Sequence, residues 1–166
     1  NMLEKRVNHA YFRTHREYQS RVETLAQELT QVDTLAGIVT AMRDHINDTL
    51  APSHIFLFFP NAEANKYVAH GIPTPETDVR FDMKSPLVEL LFRQQRPLHL
   101  DPDASLPPEL ASERARLAVL GAPVLVPLRG QDTLGGFMVV GPRQVMERYH
   151  YDDLSFMQAL ADQAAL

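Results

Sequence analysis

Two short apolar segments joined by a polar connection dominate the second half of the sequence. They occupy residues 122–128 and 134–140, and the connection between them contains Gly130. A polar connection of about three to five residues with a glycine is typical of a β-hairpin. In each segment both sets of alternating positions are apolar, so neither strand has a polar face. The pattern therefore predicts a hairpin inside a sheet that is covered on both faces.

A heptad pattern runs through the first part of the chain. Apolar and aromatic residues recur at alternating spacings of four and three from Tyr11 to Ala36, which predicts a helix with coiled-coil character. The positions that we expect to mediate self-association are Tyr18, Val22, Leu25 and Leu29. The alternative is an amphipathic helix that packs on its own domain.

Apolar periodicity and breakers predict the other elements. We expect further helices that end near residues 50, 95 and 120, a closing helix over 152–166, and strands at 53–59, 66–70, 79–82 and 98–100. Residues 30–33 resemble a capping box that uses Asp33, which predicts a break between the first two helices at this point. The boundary divides the chain into an N-terminal helix with coiled-coil character, 1–32, and a folded domain, 33–166.

Composition and charge exclude several classes of protein. The chain of 166 residues has no cysteine, which excludes disulfides and thiol catalysis, and no apolar segment long enough to span a bilayer. Its net charge is −5, but the first 22 residues carry +3, so the remainder carries −8. An acidic folded part argues against nucleic-acid binding. We expect a cytoplasmic location. The charge of the basic start fits a solvated helix, and a position beside an anionic membrane surface, as in a membrane-bound parent protein, is the alternative.

Four segments, in this order along the chain, resemble the GAF domain, the small-molecule sensing module of many signalling proteins. They are GAPVLVPL at 121–128, LGGFMVVG at 134–141, the stretch 149–154, and LADQAA at 160–165. The resemblance implies an α+β fold with a six-stranded antiparallel sheet. The terminal helices would cover one face and the short middle helices the other. It also implies a parallel homodimer through the terminal helices, and a signalling histidine kinase as the parent protein.

The resemblance places a ligand pocket between the sheet and its middle cover. The side chains that we expect to line it are Phe56, Phe58, Phe81, Leu87, His99, Leu117 and Met138. Core packing is the alternative role for each of the apolar residues in this set. His99 is the best polar candidate, because it lies between leucines in the middle segment, but a polar pair with Asp101 at the edge of the cover is the alternative.

Known chemistries of the family are disfavoured by this sequence. Covalent bilin attachment and methionine sulfoxide reduction need cysteine, and the residue pattern of cyclic-nucleotide binding is missing around Asn65 and Lys66. Haem is also disfavoured, and the ligand stays unidentified. The histidines lack metal-ligand spacing, and no serine follows the pattern of a nucleophile. We therefore expect no metal site and no catalytic residues.

Three functions remain for comparison with the structure. The first is a regulatory sensory domain that binds a small molecule and relays the signal through its dimerising helices. The second is a ligand-free dimerisation and spacer domain, in which phenylalanines fill the pocket. A small enzyme on the same scaffold is the third and ranks last.

Overall fold

Six antiparallel strands form one sheet at the centre of the molecule. A computed structural model describes residues 1–145 and 147–164, and the side chains of all of these except residues 6–12. The strands are β1 (Ile55–Asn61), β2 (Lys66–Ala69), β3 (Arg80–Asp82), β4 (Leu98–His99), β5 (Val124–Leu128) and β6 (Gly136–Val140). Their order across the sheet is β3-β2-β1-β6-β5-β4. The α+β fold with a six-stranded antiparallel sheet is thus confirmed.

Helices cover both faces of this sheet. The terminal helices are α1 (Met2–Leu29), α2 (Leu35–Leu50) and α5 (Tyr151–Gln163), and the middle ones are α3 (Pro86–Gln94), a 3₁₀ helix (Pro108–Glu113) and α4 (Arg114–Leu120). We call the terminal side the back layer and the middle side the front layer. The expected side chain of Tyr11 in the heptad seam, and Ala165 and Leu166 in the closing helix, lie outside the described residues.

The hairpin of β5 and β6 has the burial that its sequence predicts. All five residues of each strand are buried, and the register pairs Val126 with Met138 and Pro127 with Phe137. β6 also pairs with β1, so it lies in the interior of the sheet. Because side chains alternate between faces along a strand, each of these strands contributes to two separate hydrophobic cores.

The heptad seam of α1 packs on its own domain. Leu25 is fully buried in the back core, and Tyr18, Val22 and Leu29 are partly buried against the same core. This arrangement matches the amphipathic-helix alternative for Leu25, because α1 packs on α2 and α5, whereas Tyr18 and Val22 stay partly exposed.

The predicted capping box at residues 30–33 is wrong, because the residue that caps α2 lies four positions after Thr30. The Thr30 hydroxyl donates a hydrogen bond back to the Gln27 carbonyl at 2.6 Å, so Thr30 ends α1. Thr34 caps α2 instead, with its hydroxyl oxygen accepting from the Gly37 N–H at 3.1 Å. The seam therefore does not continue as one helix to Ala36, because the four residues after Thr30 separate α1 from α2.

Candidate functional site

Four aromatic rings fill the space between the sheet and the front layer. Phe137 stacks on Phe58 with ring centres 4.8 Å apart, and Phe81 meets both rings edge-on at 5.5 Å. Tyr67 is 5.7 Å from Phe137, and its hydroxyl donates to the Leu134 carbonyl at 2.6 Å. Burial raises the pKa of the Tyr67 hydroxyl above its usual range. We call this group the front aromatic cluster.

The structure brings most of the predicted pocket residues together in the front core. Phe58, Phe81, Leu87 and Leu117 are buried there, and Phe56 packs against its edge while remaining partly exposed. These side chains contact one another across the position where the resemblance places a ligand. They are grouped together as the sequence predicts, but they pack against one another as core residues do.

Met138 and His99 do not join this group. Met138 is paired with Leu57 and lies in the back core, because it alternates along β6 with Phe137 and Val139. His99 is exposed, and its register partner is Val124, a back-core residue. Residues paired across antiparallel strands share a face, so His99 lies at the sheet edge on the back side.

Glu113 is a buried acid in the front layer that the sequence reading did not single out. It is 3% exposed, and its Oε2 has no hydrogen-bond partner among the described residues. Burial raises the pKa of its carboxyl, and Arg116, at 3.4 Å, opposes this only in part. Nothing in its spacing distinguishes it from the neighbouring Glu109, which is exposed. Glu113 is the last residue of the 3₁₀ helix, where Leu110, three residues earlier, is also buried.

The contact between α1 and α5 contains a polar and an aromatic link. The Tyr18 hydroxyl donates to Oδ1 of Asp153 at 2.5 Å, and the Tyr18 ring stacks on Phe156 with centres 4.3 Å apart. Asp153 also accepts from the His150 N–H at 2.8 Å, which holds the first turn of α5. Burial, and then the bond to Asp153, raise the pKa of Tyr18 strongly. We call the open groove of about 790 Å³ around these residues the helix groove.

A second groove, of about 410 Å³, opens where β1 begins. We call it the β1 groove. It is lined by polar and aromatic side chains from α2, the segment before β1, β1 itself, the β2–β3 loop and the segment after β6: Arg43, Asn47, Ser53, His54, Phe56, Glu76 and Gln144. Arg43 and Glu76 form an ion pair inside it, and the Arg43 guanidinium also donates to the Ile55 carbonyl at 3.2 Å. Of the predicted pocket residues, only Phe56 lines this groove.

His54 is fixed in one orientation at the wall of the β1 groove. Its Nε2 lies 2.8 Å from the Leu120 carbonyl, so Nε2 carries the proton and, in the neutral ring, Nδ1 accepts. The Ser53 hydroxyl is 3.3 Å from that Nδ1. A Cβ at Gly141 would lie 2.6 Å from the His54 ring, so the ring's position requires glycine there.

The described residues contain neither a metal cluster nor a spanning helix. Residues 1–145 and 147–164 hold no group of three His, Asp or Glu side chains that could bind a metal ion. Within the same ranges, no helix is sufficiently long and apolar to cross a bilayer.

Comparison with known proteins gives a consistent family match. The model of the GAF domain family matches residues 15–166. No curated protein matches the sequence. The fold is similar to the GAF domain of the phosphoenolpyruvate-protein phosphotransferase from Acinetobacter, with 17% identity, a TM-score of 0.63 and 89% of each chain covered.

Signalling proteins are among the other structures with this fold. The GAF domain of a two-component sensor histidine kinase from Bacillus halodurans has 17% identity and a TM-score of 0.56, with 81% of this chain and 92% of that chain covered. Residues 122 to 287 of a methyl-accepting chemotaxis protein have 12% identity and a TM-score of 0.64, with 85% and 92% covered.

Proposed function

Because this chain belongs to the GAF domain family, we propose that it is a regulatory sensory domain of a signal-transduction protein. In this proposal a small molecule acts on the domain, and the helices α1 and α5 pass the change to an output domain. The role is regulatory and not catalytic. In this proposal the parent protein is a cytoplasmic or membrane-attached histidine kinase, because the GAF domain of a sensor histidine kinase from Bacillus halodurans has a similar fold.

The contact between α1 and α5 carries this proposal. The Tyr18–Asp153 hydrogen bond, between residues 135 apart in sequence, and the Tyr18–Phe156 stack join the first helix to the last. A shift of either helix must therefore break or stretch these contacts, or move the other helix with it. Packed cores and helix pairs respond to such shifts by adopting discrete arrangements, which is the basis of relay between domains.

The same surface supports a parallel homodimer in this proposal. Tyr18 and Val22 are only partly buried, and they line the helix groove beside Tyr151, which is 80% exposed. A second copy lying along the groove would cover these side chains. The interface in this proposal is thus the outer part of the predicted seam, since Leu25 is already buried within the chain.

Cysteine cross-linking tests the dimer in a chain that has no cysteine of its own. The variant Gln19→Cys puts a thiol on the helix groove, and Glu63→Cys puts a matched exposed thiol in the β1–β2 turn. We expect mild oxidation to give a covalent dimer from Gln19→Cys and far less from Glu63→Cys. Equal yields, together with a monomer in sedimentation velocity at high concentration, would contradict the proposal.

A ligand-free spacer domain is the second candidate, favoured by the front aromatic cluster. The rings of Phe58, Phe81 and Phe137 contact one another at the place expected for a ligand. A thermal-shift screen separates the two candidates, because a molecule that binds only the folded state raises the melting temperature. If no small molecule raises it, the spacer function is favoured.

A further inference from the structure

We propose that the β1 groove is a binding site for a small carboxylate, with the Arg43 guanidinium as its anchor and the Glu76 carboxylate as a built-in competitor. This proposal adds a ligand class and a binding site to the proposed function. A signalling role for the site rests on that function. The ligand we infer carries a carboxylate and an aromatic or other flat apolar body.

The ion pair of Arg43 and Glu76 has the geometry of carboxylate recognition. Nη1 of Arg43 donates to Oε1 of Glu76 at 2.5 Å and Nη2 donates to Oε2 at 2.8 Å. Two parallel bonds of this kind are how a guanidinium binds a carboxylate specifically. The site is therefore already shaped for a carboxylate, and the one it now holds belongs to the chain.

The sheet holds the Arg43 guanidinium in place independently of Glu76. β1 pairs with β2 only from Phe58 onward, so β2 does not reach the first residues of β1. Nη2 of Arg43 donates to the Ile55 carbonyl in this stretch, at 3.2 Å. The Arg43 side chain is 23% exposed, and its Nε is buried without a hydrogen-bond partner among the described residues. Removing Glu76 would thus leave an oriented cation with unused donors.

Glu76 is attached less firmly than Arg43. It lies in the loop between β2 and β3, where residues 72–76 are all exposed, and its own side chain is 37% exposed. Exposed ion pairs contribute little to stability, so an external carboxylate can compete with Glu76 for Arg43. Glu76 is also the one acidic residue among those described as lining the groove.

The walls of the groove suit the rest of such a ligand. Phe56 presents a partly exposed ring, and the His54 ring is 5.3 Å from it. Asn47, one helical turn after Arg43, also lines the groove and has an amide that can donate and accept. A flat ligand body can therefore lie against aromatic surface while its carboxylate bonds to Arg43.

Displacement of Glu76 would also have a structural consequence. Glu76 connects the β2–β3 loop to α2, which is part of the back layer with α1 and α5. Binding of a carboxylate would replace this connection and release the loop from α2. The ligand would thereby have different contacts in the two states, which is the requirement for any ligand-driven change.

Titration with benzoate, followed by backbone and Arg Nε NMR spectra of the full chain, tests the site. Benzamide is the neutral control of the same shape. We expect benzoate, and not benzamide, to shift the Arg43 Nε–H signal and the amides around Asn47 and Phe56. Because Glu76 competes for Arg43 through an exposed ion pair that contributes little, E76Q should lower the benzoate dissociation constant by a factor of about two to five.

Two further variants complete the test. R43Q should abolish the benzoate shifts, and R43K should weaken binding because lysine keeps the charge but loses the paired bonds. Unchanged affinity in E76Q, or equal shifts with benzamide, would overturn the proposal even if R43Q failed to fold. Since this titration does not depend on dimerisation, benzoate binding without Gln19→Cys cross-linking would contradict only the dimer relay, and the reverse result only this site.

Discussion

Phe137→Ala tests whether the front aromatic cluster is a packed core. Phe137 is fully buried and contacts the rings of Phe58, Phe81 and Tyr67. Removing a buried phenylalanine ring costs about 3–5 kcal/mol, because its transfer energy is lost and a cavity remains. With a shift of about 2–4 °C per kcal/mol for a domain of this size, the melting temperature should fall by about 6–20 °C.

The measurement is urea denaturation followed by circular dichroism, with a thermal scan on the same samples. Val119→Ala is the control, because Val119 lies on α4 in the front layer and is 73% exposed. This change should stay within about 0.5 kcal/mol of the parent. The new cavity in Phe137→Ala is apolar and should bind benzene, which would restore part of the lost stability.

A small effect would refute the reasoning. If Phe137→Ala cost less than about 1 kcal/mol, the ring would not be in a close-packed core. An unaltered protein that already bound benzene as well as Phe137→Ala does would lead to the same conclusion. Either result would return the front layer to the role of an open ligand pocket.

Three further predictions concern other parts of the structure. Tyr18→Phe keeps the stack on Phe156 but leaves a carboxylate oxygen of Asp153 without its donor, so urea denaturation should show a loss of about 1–3 kcal/mol; no loss would contradict the α1–α5 link. Leu25→Ala should cost about 2–5 kcal/mol because Leu25 is fully buried, whereas the exposed Leu3→Ala should be near neutral. Burial raises the pKa of Glu113 above 4.5, so the stability gained from its bound proton is complete below 4.5 and is lost as pH rises through the higher folded-state pKa. Glu113→Gln should therefore gain stability relative to the parent between about pH 4 and about pH 7 in urea denaturation, and an equal difference at both pH values would contradict this.

The sequence predicts the elements of this fold well but not which face each side chain occupies. The burial of β5 and β6 follows from their apolar residues alone. The alternation of Phe137 and Met138 is also evident, but only the register that pairs Phe58 with Phe137 decides which of them shares the front face. Register between distant strands depends on packing of the whole sheet, so the prediction that Met138 lies on the front face is wrong.

Long-range polar contacts are the other part that the sequence does not reveal. Arg43 and Glu76 are 33 residues apart in sequence, and they meet beside the start of β1, where the β2–β3 loop lies next to α2. No periodicity marks such a pair. The break after α1 shows the same limit at short range, since Thr30 and Thr34 are both suitable caps and only the backbone geometry distinguishes them.

The sheet is a thin common wall between two hydrophobic interiors. Along β6, Phe137 belongs to the front interior and Met138, the next residue, to the back one. Because these two residues are joined by a single peptide bond, a movement of β6 along its own axis would change the packing in both interiors at once. Hydrogen exchange should accordingly show the amides of β6 opening as one unit with both layers, and not with either layer alone.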